Sequence, residues 1–144
     1  MAGVLKPASL EFAKDIISTA YLKDPTDPAW KDDPGVRTWR AFMEKYYPDG
    51  DQTNNNNVYG YAAAQTMVQV LKQCGDDLSR ENVMKQAANI KNFSTEMMLP
   101  GIKVNTGPDD FFPIEQMQLM KFDGQSWQLF GDVITGEIGH DASH

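Results

Sequence analysis

The stretch that decides the fold is residues 16–22, which read IISTAYL. It is short, it is rich in β-branched and aromatic side chains, and it is stopped by Asp24-Pro25. These features predict one β-strand, and its apolar content predicts that the strand is buried. Because a lone strand is not stable by itself, the rest of the chain must supply its partners.

A loop and a helix are predicted directly after this strand. Residues 24–34 hold three prolines and four aspartates, a composition typical of a loop. Asp33 can cap the free N–H groups of a helix, and Pro34 suits the first helical position, where a missing N–H costs nothing. The helix is predicted to end near Tyr47, with one inward stripe of Val36, Trp39, Met43 and Tyr46.

Two further helices are predicted, each with its own apolar stripe. The second runs from Val58 to Cys74, and its inward side chains are predicted to be Tyr61, Ala64, Val68 and Leu71. Ser79 is expected to cap a third helix over residues 80–91, with Val83, Ala87 and Ile90 facing inward.

The C-terminal third of the chain has the pattern of β-structure. Residues 102–104 alternate as a short strand. Residues 116–122 and 127–130 flank Asp123-Gly124, a turn signal that predicts a β-hairpin. Residues 1–134 are therefore predicted to form one domain, and residues 135–144 a flexible tail.

The predicted order is one strand, three helices and a C-terminal β-hairpin, which is an α/β fold class. Such a set is incomplete, because a lone strand and three apolar stripes need further structure to cover them. The sequence therefore predicts part of a larger α/β lobe that is completed by oligomerisation with a second copy. A compact monomer in gel filtration would contradict this expectation.

Charge and composition exclude several partners. The 144 residues carry a net charge of −7, so a basic surface for nucleic acid is not expected, and docking onto anionic lipid is disfavoured. No apolar run approaches the roughly 20 residues of a membrane span. Cys74 is the only cysteine, which excludes an internal disulfide. The first seven residues lack the apolar region of a signal peptide, so no export signal is expected in the chain as written.

No constellation of residues predicts catalysis, a metal or a cofactor. His140 and His144 both fall in the predicted tail, and the paired aspartates adjoin helix starts and turns, where capping explains them. The more informative residues are Tyr59 and Tyr61, at the entry to the second helix. A helix N-terminus offers unpaired N–H groups that suit a carboxylate, so these phenols could line a small-molecule cleft. The alternative is that Tyr61 belongs to the core and Tyr59 packs on the loop.

Several segments, in order, carry a family resemblance: residues 20–28 (AYLKDPTDP), 39–48 (WRAFMEKYYP), 58–66 (VYGYAAAQT), 99–102 (LPGI) and 117–124 (MQLMKFDG). With these segments, residues 3–134 resemble the C-terminal part of the periplasmic substrate-binding proteins of branched-chain amino-acid ABC transporters. These are type I, leucine-binding-protein-like proteins. Members of that family have two α/β lobes that close on a ligand, so the resemblance implies that much of the two-lobe fold is missing here.

The resemblance also implies a site and a function. Tyr21 is expected near the hinge, and Asn56, Asn57 and Tyr59 at the cleft end of the second helix, where these four would bind ligand. The chain would be a solute-binding component, or a fragment of one, of an ABC importer for branched-chain amino acids or related small carboxylates. Its parent would be periplasmic and would deliver ligand to an ABC permease. The alternative is a stand-alone truncated module with a structural or protein-interaction role and no ligand trapping.

Overall fold

The computed structural model of the protein describes Leu5 and residues 10–136. The order of its elements is β1 (Ile17–Ala20), α1 (Pro34–Tyr46), α2 (Asn55–Cys74), α3 (Arg80–Ala87), β2 (Gln116–Phe122) and β3 (Trp127–Thr135). This order confirms the prediction of one strand, three helices and a hairpin. β3 extends one residue into the predicted tail, and the rest of that tail, with His140 and His144, lies outside the described residues.

The three strands form one antiparallel sheet in the order β1-β2-β3. β3 is five residues longer than the sequence predicted, because a bulge interrupts the register between Gln118 and Leu119 of β2. Gly131 adopts a φ of 67° at this bulge, and its carbonyl oxygen accepts a 2.8 Å hydrogen bond from Gln118 Nε2. The irregularity absorbs two residues, so pairing continues beyond the point where the sequence alternation ends.

Two predictions about the strands were wrong. β1 is not buried: Ile17 is 59% exposed, and Ala20 is the one buried residue in the strand. The reason is that β1 lies at the edge of an open sheet whose second face meets solvent. Residues 102–104 do not form a strand either, because their β pairing is limited to an isolated bridge between Phe93 and Val104.

Helix α1 begins where the sequence predicted. The carboxylate of Asp33 accepts a 3.0 Å hydrogen bond from the backbone N–H of Val36, so Asp33 is the N-cap. Val36, Trp39 and Met43 are buried, as predicted. Tyr46 is 63% exposed, so its predicted inward position was wrong. It is the last residue of the helix, beyond the core, and its ring packs against Phe42 at 5.0 Å between centroids.

Helix α2 buries a different face from the one predicted. It begins three residues early, at Asn55, and buries Val58, Ala62, Val70 and Cys74. Of the predicted stripe, Tyr61 is half-buried, whereas the other three residues are exposed: Ala64, Val68 and Leu71. Both faces of α2 are apolar enough to pack. Which face is buried therefore depends on which other segments of the chain lie against the helix. Helix α3 and the segment around Met97 and Met98 pack in the same core as the Val58 face.

Helix α3 is shorter than predicted, because a side chain from elsewhere replaces its last turn. Ser79 caps its start as expected, by accepting from the N–H of Asn82. At its end the buried hydroxyl of Thr106 donates to Ala87 O at 2.6 Å and accepts from Ile90 N–H at 2.9 Å. These two bonds satisfy backbone groups that further helical turns would have paired.

The buried side chains form two cores, one among the helices around Trp39 and one on the inner face of the sheet around Phe122. Tyr21, Trp30 and Ile114 pack against both cores. After β1, the chain leaves the sheet and pairs with residues 97–99 through Lys23 N–H to Met97 O (2.8 Å) and Leu99 N–H to Tyr21 O (2.9 Å). Residues 21–23 are therefore the link between the two cores.

The buried amine of Lys23 ties this link to α1. Its Nζ lies 2.9 Å from both carboxylate oxygens of Asp33 and 2.9 Å from the carbonyl oxygen of Glu96. Partial burial raises the pKa of Asp33, but hydrogen bonds from Lys23 and from the N–H of Val36 outweigh it and hold that pKa below its usual value. Gly35 makes this close approach possible, because a Cβ there would collide with the Glu96 carbonyl oxygen.

Candidate functional site

A small cavity of about 220 Å³ lies where the link between the two cores passes the first turns of α2. We call it the tyrosine cavity, because two phenols, Tyr21 and Tyr59, form part of its wall. The rest of its lining is mainly apolar and includes Ala62, Met98, Val104 and Ile114. An apolar cavity with a few polar groups is the usual form of a small-molecule site.

The two tyrosines come from distant parts of the sequence and carry available hydroxyl groups. Burial raises the pKa of Tyr21, and the neighbouring Tyr59 raises it further, because two adjacent phenolates would repel each other. Tyr21 is therefore a neutral hydroxyl at neutral pH, able to donate and to accept a hydrogen bond. Within the described part of the chain, neither hydroxyl has a hydrogen-bond partner.

The two asparagines of the predicted site lie apart from this cavity wall. Asn57 Nδ2 donates to the carbonyl oxygen of Asp51 at 2.9 Å, so its side chain braces the loop before α2. Asn56 is exposed, and its backbone N–H donates to the side chain of the cap residue Asn54. The structure therefore brings Tyr21 and Tyr59 together and leaves Asn56 and Asn57 at the helix start. That these four residues bind ligand stays a prediction.

A second and larger cavity lies on another side of α2, and its lining includes the half-buried Tyr61, for which the sequence left a cleft and the core as alternatives. This helix groove has a volume of about 350 Å³ and is lined by residues of α1, α2 and the 93–96 segment. Tyr61 donates from its hydroxyl to Glu96 Oε2 at 2.9 Å, and its ring lies 5.0 Å from that of Phe42. Burial and this hydrogen bond raise the pKa of Tyr61 to about 12. Thirty-five residues separate Tyr61 from Glu96, so no local spacing could have predicted the pair.

Other kinds of site have little support in the residues that the structure describes. Between residues 10 and 136, no three His, Cys, Asp or Glu side chains come together in a way that could hold a metal ion. Cys74 is a buried free thiol. Over the same residues, no helix is long and apolar enough to cross a membrane.

The described residues form a partial α/β lobe with a small, mostly apolar cavity whose wall includes two phenols. The model of the family described as periplasmic binding protein matches residues 2–126. This chain belongs to that family, whose members are non-enzymatic solute-binding proteins.

A solved structure shows the same fold. It is described as the crystal structure of a branched chain amino acid ABC transporter from Thermus thermophilus with bound valine. The match has a TM-score of 0.69 at 15% sequence identity and covers 88% of this chain and 35% of that chain. The chain therefore spans about a third of the length of this structural relative, and it is confirmed as part of a type I periplasmic binding protein fold. No curated protein matches the sequence significantly.

Proposed function

We propose that this chain binds a branched-chain amino acid or a related small carboxylate in the tyrosine cavity, as a component or fragment of an ABC importer. The observation that carries the proposal is the cavity itself, whose mainly apolar wall includes two phenols that have no hydrogen-bond partner among the described residues. Its volume of about 220 Å³ suits a solute of a few heavy atoms rather than a drug-sized molecule. The family supports a solute-binding role, and the structural relative holds bound valine, a branched-chain amino acid.

Two features of the cavity match such a solute. An aliphatic side chain would bury apolar surface against Ala62, Met98 and Ile114. A carboxylate would accept hydrogen bonds from the phenols of Tyr21 and Tyr59, which supply donors to an anion without adding charge. The proposal extends to the parent protein, which would work in the periplasm and pass its solute to an ABC permease.

Substitution of Tyr59 tests the proposed site. Isothermal titration with valine, leucine and phenylacetate should give binding to the wild type, and Tyr59→Ala should weaken it about tenfold by removing both ring contact and a hydroxyl. Tyr59→Phe, which keeps the ring, should weaken it less. Tyr46→Ala is a matched control, because Tyr46 is similarly exposed (63% against 58%) and lies outside the cavity. Equal affinity of the wild type and Tyr59→Ala for these ligands would contradict the proposal.

The outer face of the sheet favours a second candidate function, an interaction module without ligand trapping. The inner face holds the buried Met120 and Phe122, whereas the alternate residues on the outer face include exposed apolar side chains: Ile17, Met117, Phe130 and Ile134. In the register of the sheet Met117 lies opposite Ile134, and Leu119, two residues further along β2, lies opposite Phe130, so Met117, Phe130 and Ile134 form one apolar patch. Ile17 lies opposite Lys121 and is outside this patch. The proposed occupant is a second copy of the chain, because a two-fold axis lets one apolar sheet face cover its equivalent.

The oligomeric state tests this second candidate. Sedimentation should give a dimer of about 32 kDa, twice the 16.1 kDa of one chain, and Phe130→Lys should convert it to a monomer by placing a charge in the apolar contact. Thr38→Lys, at an exposed position of α1, should leave the dimer intact. A wild-type protein that sediments as a monomer at about 100 μM, where even weak dimers with micromolar Kd persist, would count against self-association.

A further inference from the structure

The helix groove is separate from the tyrosine cavity and has a different chemical character. Tyr59, Ala62 and Thr66 of α2 line the tyrosine cavity, whereas Tyr61, Gln65 and Lys72 of the same helix line the groove. These two sets lie on different sides of α2. Phe42 and Phe93 also line the groove, whose volume is about 350 Å³.

The groove contains one carboxylate, Glu96, and one amine, Lys72, and the two do not form an ion pair with each other. The carboxylate of Glu96 forms no ion pair with any residue in the described part of the chain, and its Oε2 accepts only from neutral donors, Tyr61 Oη at 2.9 Å and Gln65 Nε2 at 3.2 Å. Gln65 Oε1 and Thr95 Oγ1 are buried and have no hydrogen-bond partner among the described residues. Thr95 is only 6% exposed. Gln65 Oε1 could only accept a hydrogen bond, whereas the Thr95 hydroxyl could donate or accept one, and neither atom is exposed to solvent.

The acceptors are held in place by the rest of the fold. The backbone carbonyl of Glu96 accepts a 2.9 Å hydrogen bond from the buried amine of Lys23, and the carbonyl of Thr95 accepts one from Met98 N–H at 3.2 Å. The 93–96 segment is also paired to Val104 through Phe93. The groove is therefore preorganised, which reduces the entropy lost when a ligand binds.

We propose that the helix groove binds an organic ammonium ion that carries an apolar group. An ammonium would donate to the carboxylate of Glu96 and balance its charge, which the neutral donors Tyr61 and Gln65 do not. The rings of Phe42 and Phe93 would contact the apolar group and the cation. The net charge of −7 also raises the local concentration of cations around the protein.

Lys72 would favour a ligand that carries a carboxylate in addition to the ammonium. It lines the same groove and forms no ion pair in the described part of the chain. It lies seven residues after Gln65, or about 10 Å along the helix, within reach of a carboxylate on a ligand whose ammonium sits at Glu96. A simple amine and an amino acid share the ammonium chemistry, and Lys72 distinguishes them by attracting only the amino acid.

The test is a titration with 2-phenylethylamine, which is protonated at neutral pH, and with the uncharged 2-phenylethanol as its isosteric control. The amine should bind the wild type with a Kd of about 1 mM, and Glu96→Gln should weaken it about tenfold, because the substitution removes the charge but keeps the shape. Phenylalanine tests the second charge. Lys72→Met should weaken phenylalanine binding several-fold and should not weaken the amine.

Each outcome of this titration decides the proposal. Tighter binding of the amine than of the alcohol, lost in Glu96→Gln, supports it. Equal binding of amine and alcohol, or unchanged amine affinity in Glu96→Gln, overturns it. An amine affinity that falls in Tyr59→Ala but not in Glu96→Gln places the amine in the tyrosine cavity, which overturns the second site and leaves the proposed function standing. Circular dichroism of Glu96→Gln checks that the exposed substitution leaves the fold intact.

Discussion

Trp39→Ala should lower the free energy of unfolding by about 3–5 kcal/mol, measured by urea denaturation. Trp39 is completely buried at the centre of the helical core, where Val36 and Met43 of its own helix and Val58 and Ala62 of α2 are also buried. Removing the indole deletes the largest buried apolar surface in this core and leaves a cavity that the surrounding helices can only partly close. Since small domains are stable by about 5–15 kcal/mol, such a loss would leave a large unfolded fraction in mild urea.

Trp39→Phe is the matched control for this prediction. The indole Nε1 of Trp39 is buried and has no hydrogen-bond partner among the described residues, so replacing it removes an unsatisfied donor as well as some volume. The loss should therefore be clearly smaller than for alanine, about 1–2 kcal/mol. A loss below 1 kcal/mol for Trp39→Ala would show that the helical core is not packed around this residue.

Lys23→Met should cost about 2–4 kcal/mol of stability at neutral pH. The side chains of Lys23 and Asp33 are 9% and 20% exposed, so the substitution leaves a largely buried carboxylate without its counter-ion. It also removes the donor to the carbonyl oxygen of Glu96. The double variant Lys23→Met/Asp33→Asn should recover much of the loss, because asparagine still caps α1 and carries no charge.

The pH dependence of this loss follows from the lowered pKa of Asp33. A depressed carboxyl pKa contributes stability above the ordinary value of 3.8, and that contribution disappears as the pH falls through the lower folded value. The wild type and Lys23→Met should therefore differ most in free energy of unfolding at neutral pH. This difference should become smaller below pH 3.8. Lys121→Met is the control: its partner Asp15 is 63% exposed, so solvent screens the pair and stability should change little. If Lys23→Met and Lys121→Met lowered the free energy of unfolding by similar amounts, burial of the Lys23–Asp33 pair would not explain its contribution to stability.

The groove was missed in the sequence because its chemistry depends on a helix face that the sequence left ambiguous. The stripe of Tyr61, Ala64 and Val68 is regular enough to predict an inward face, yet it lines the groove. Hydrophobic periodicity shows that a face is apolar but does not show what covers it. The family resemblance placed Tyr21 near the hinge and Tyr59 at the cleft end of the second helix, and both residues line the tyrosine cavity. Asn56 and Asn57 have the polar character expected of a site, but hydrogen bonding within the loop determines where they lie.

The sequence by itself determined the order of the helices and of the hairpin strands, and where α1 and α3 begin. Asp33, Ser79 and Asp123-Gly124 make their helix caps and turn with partners a few residues away, so these signals do not depend on the rest of the fold. The tertiary structure decided which faces are buried and which distant side chains meet. Lys23 is 73 residues away from its hydrogen-bond partner Glu96 in the sequence. Tyr61, which also bonds to Glu96, is 35 residues away from it. Burial and long-range pairing depend on what packs opposite each surface, and local sequence does not contain that information.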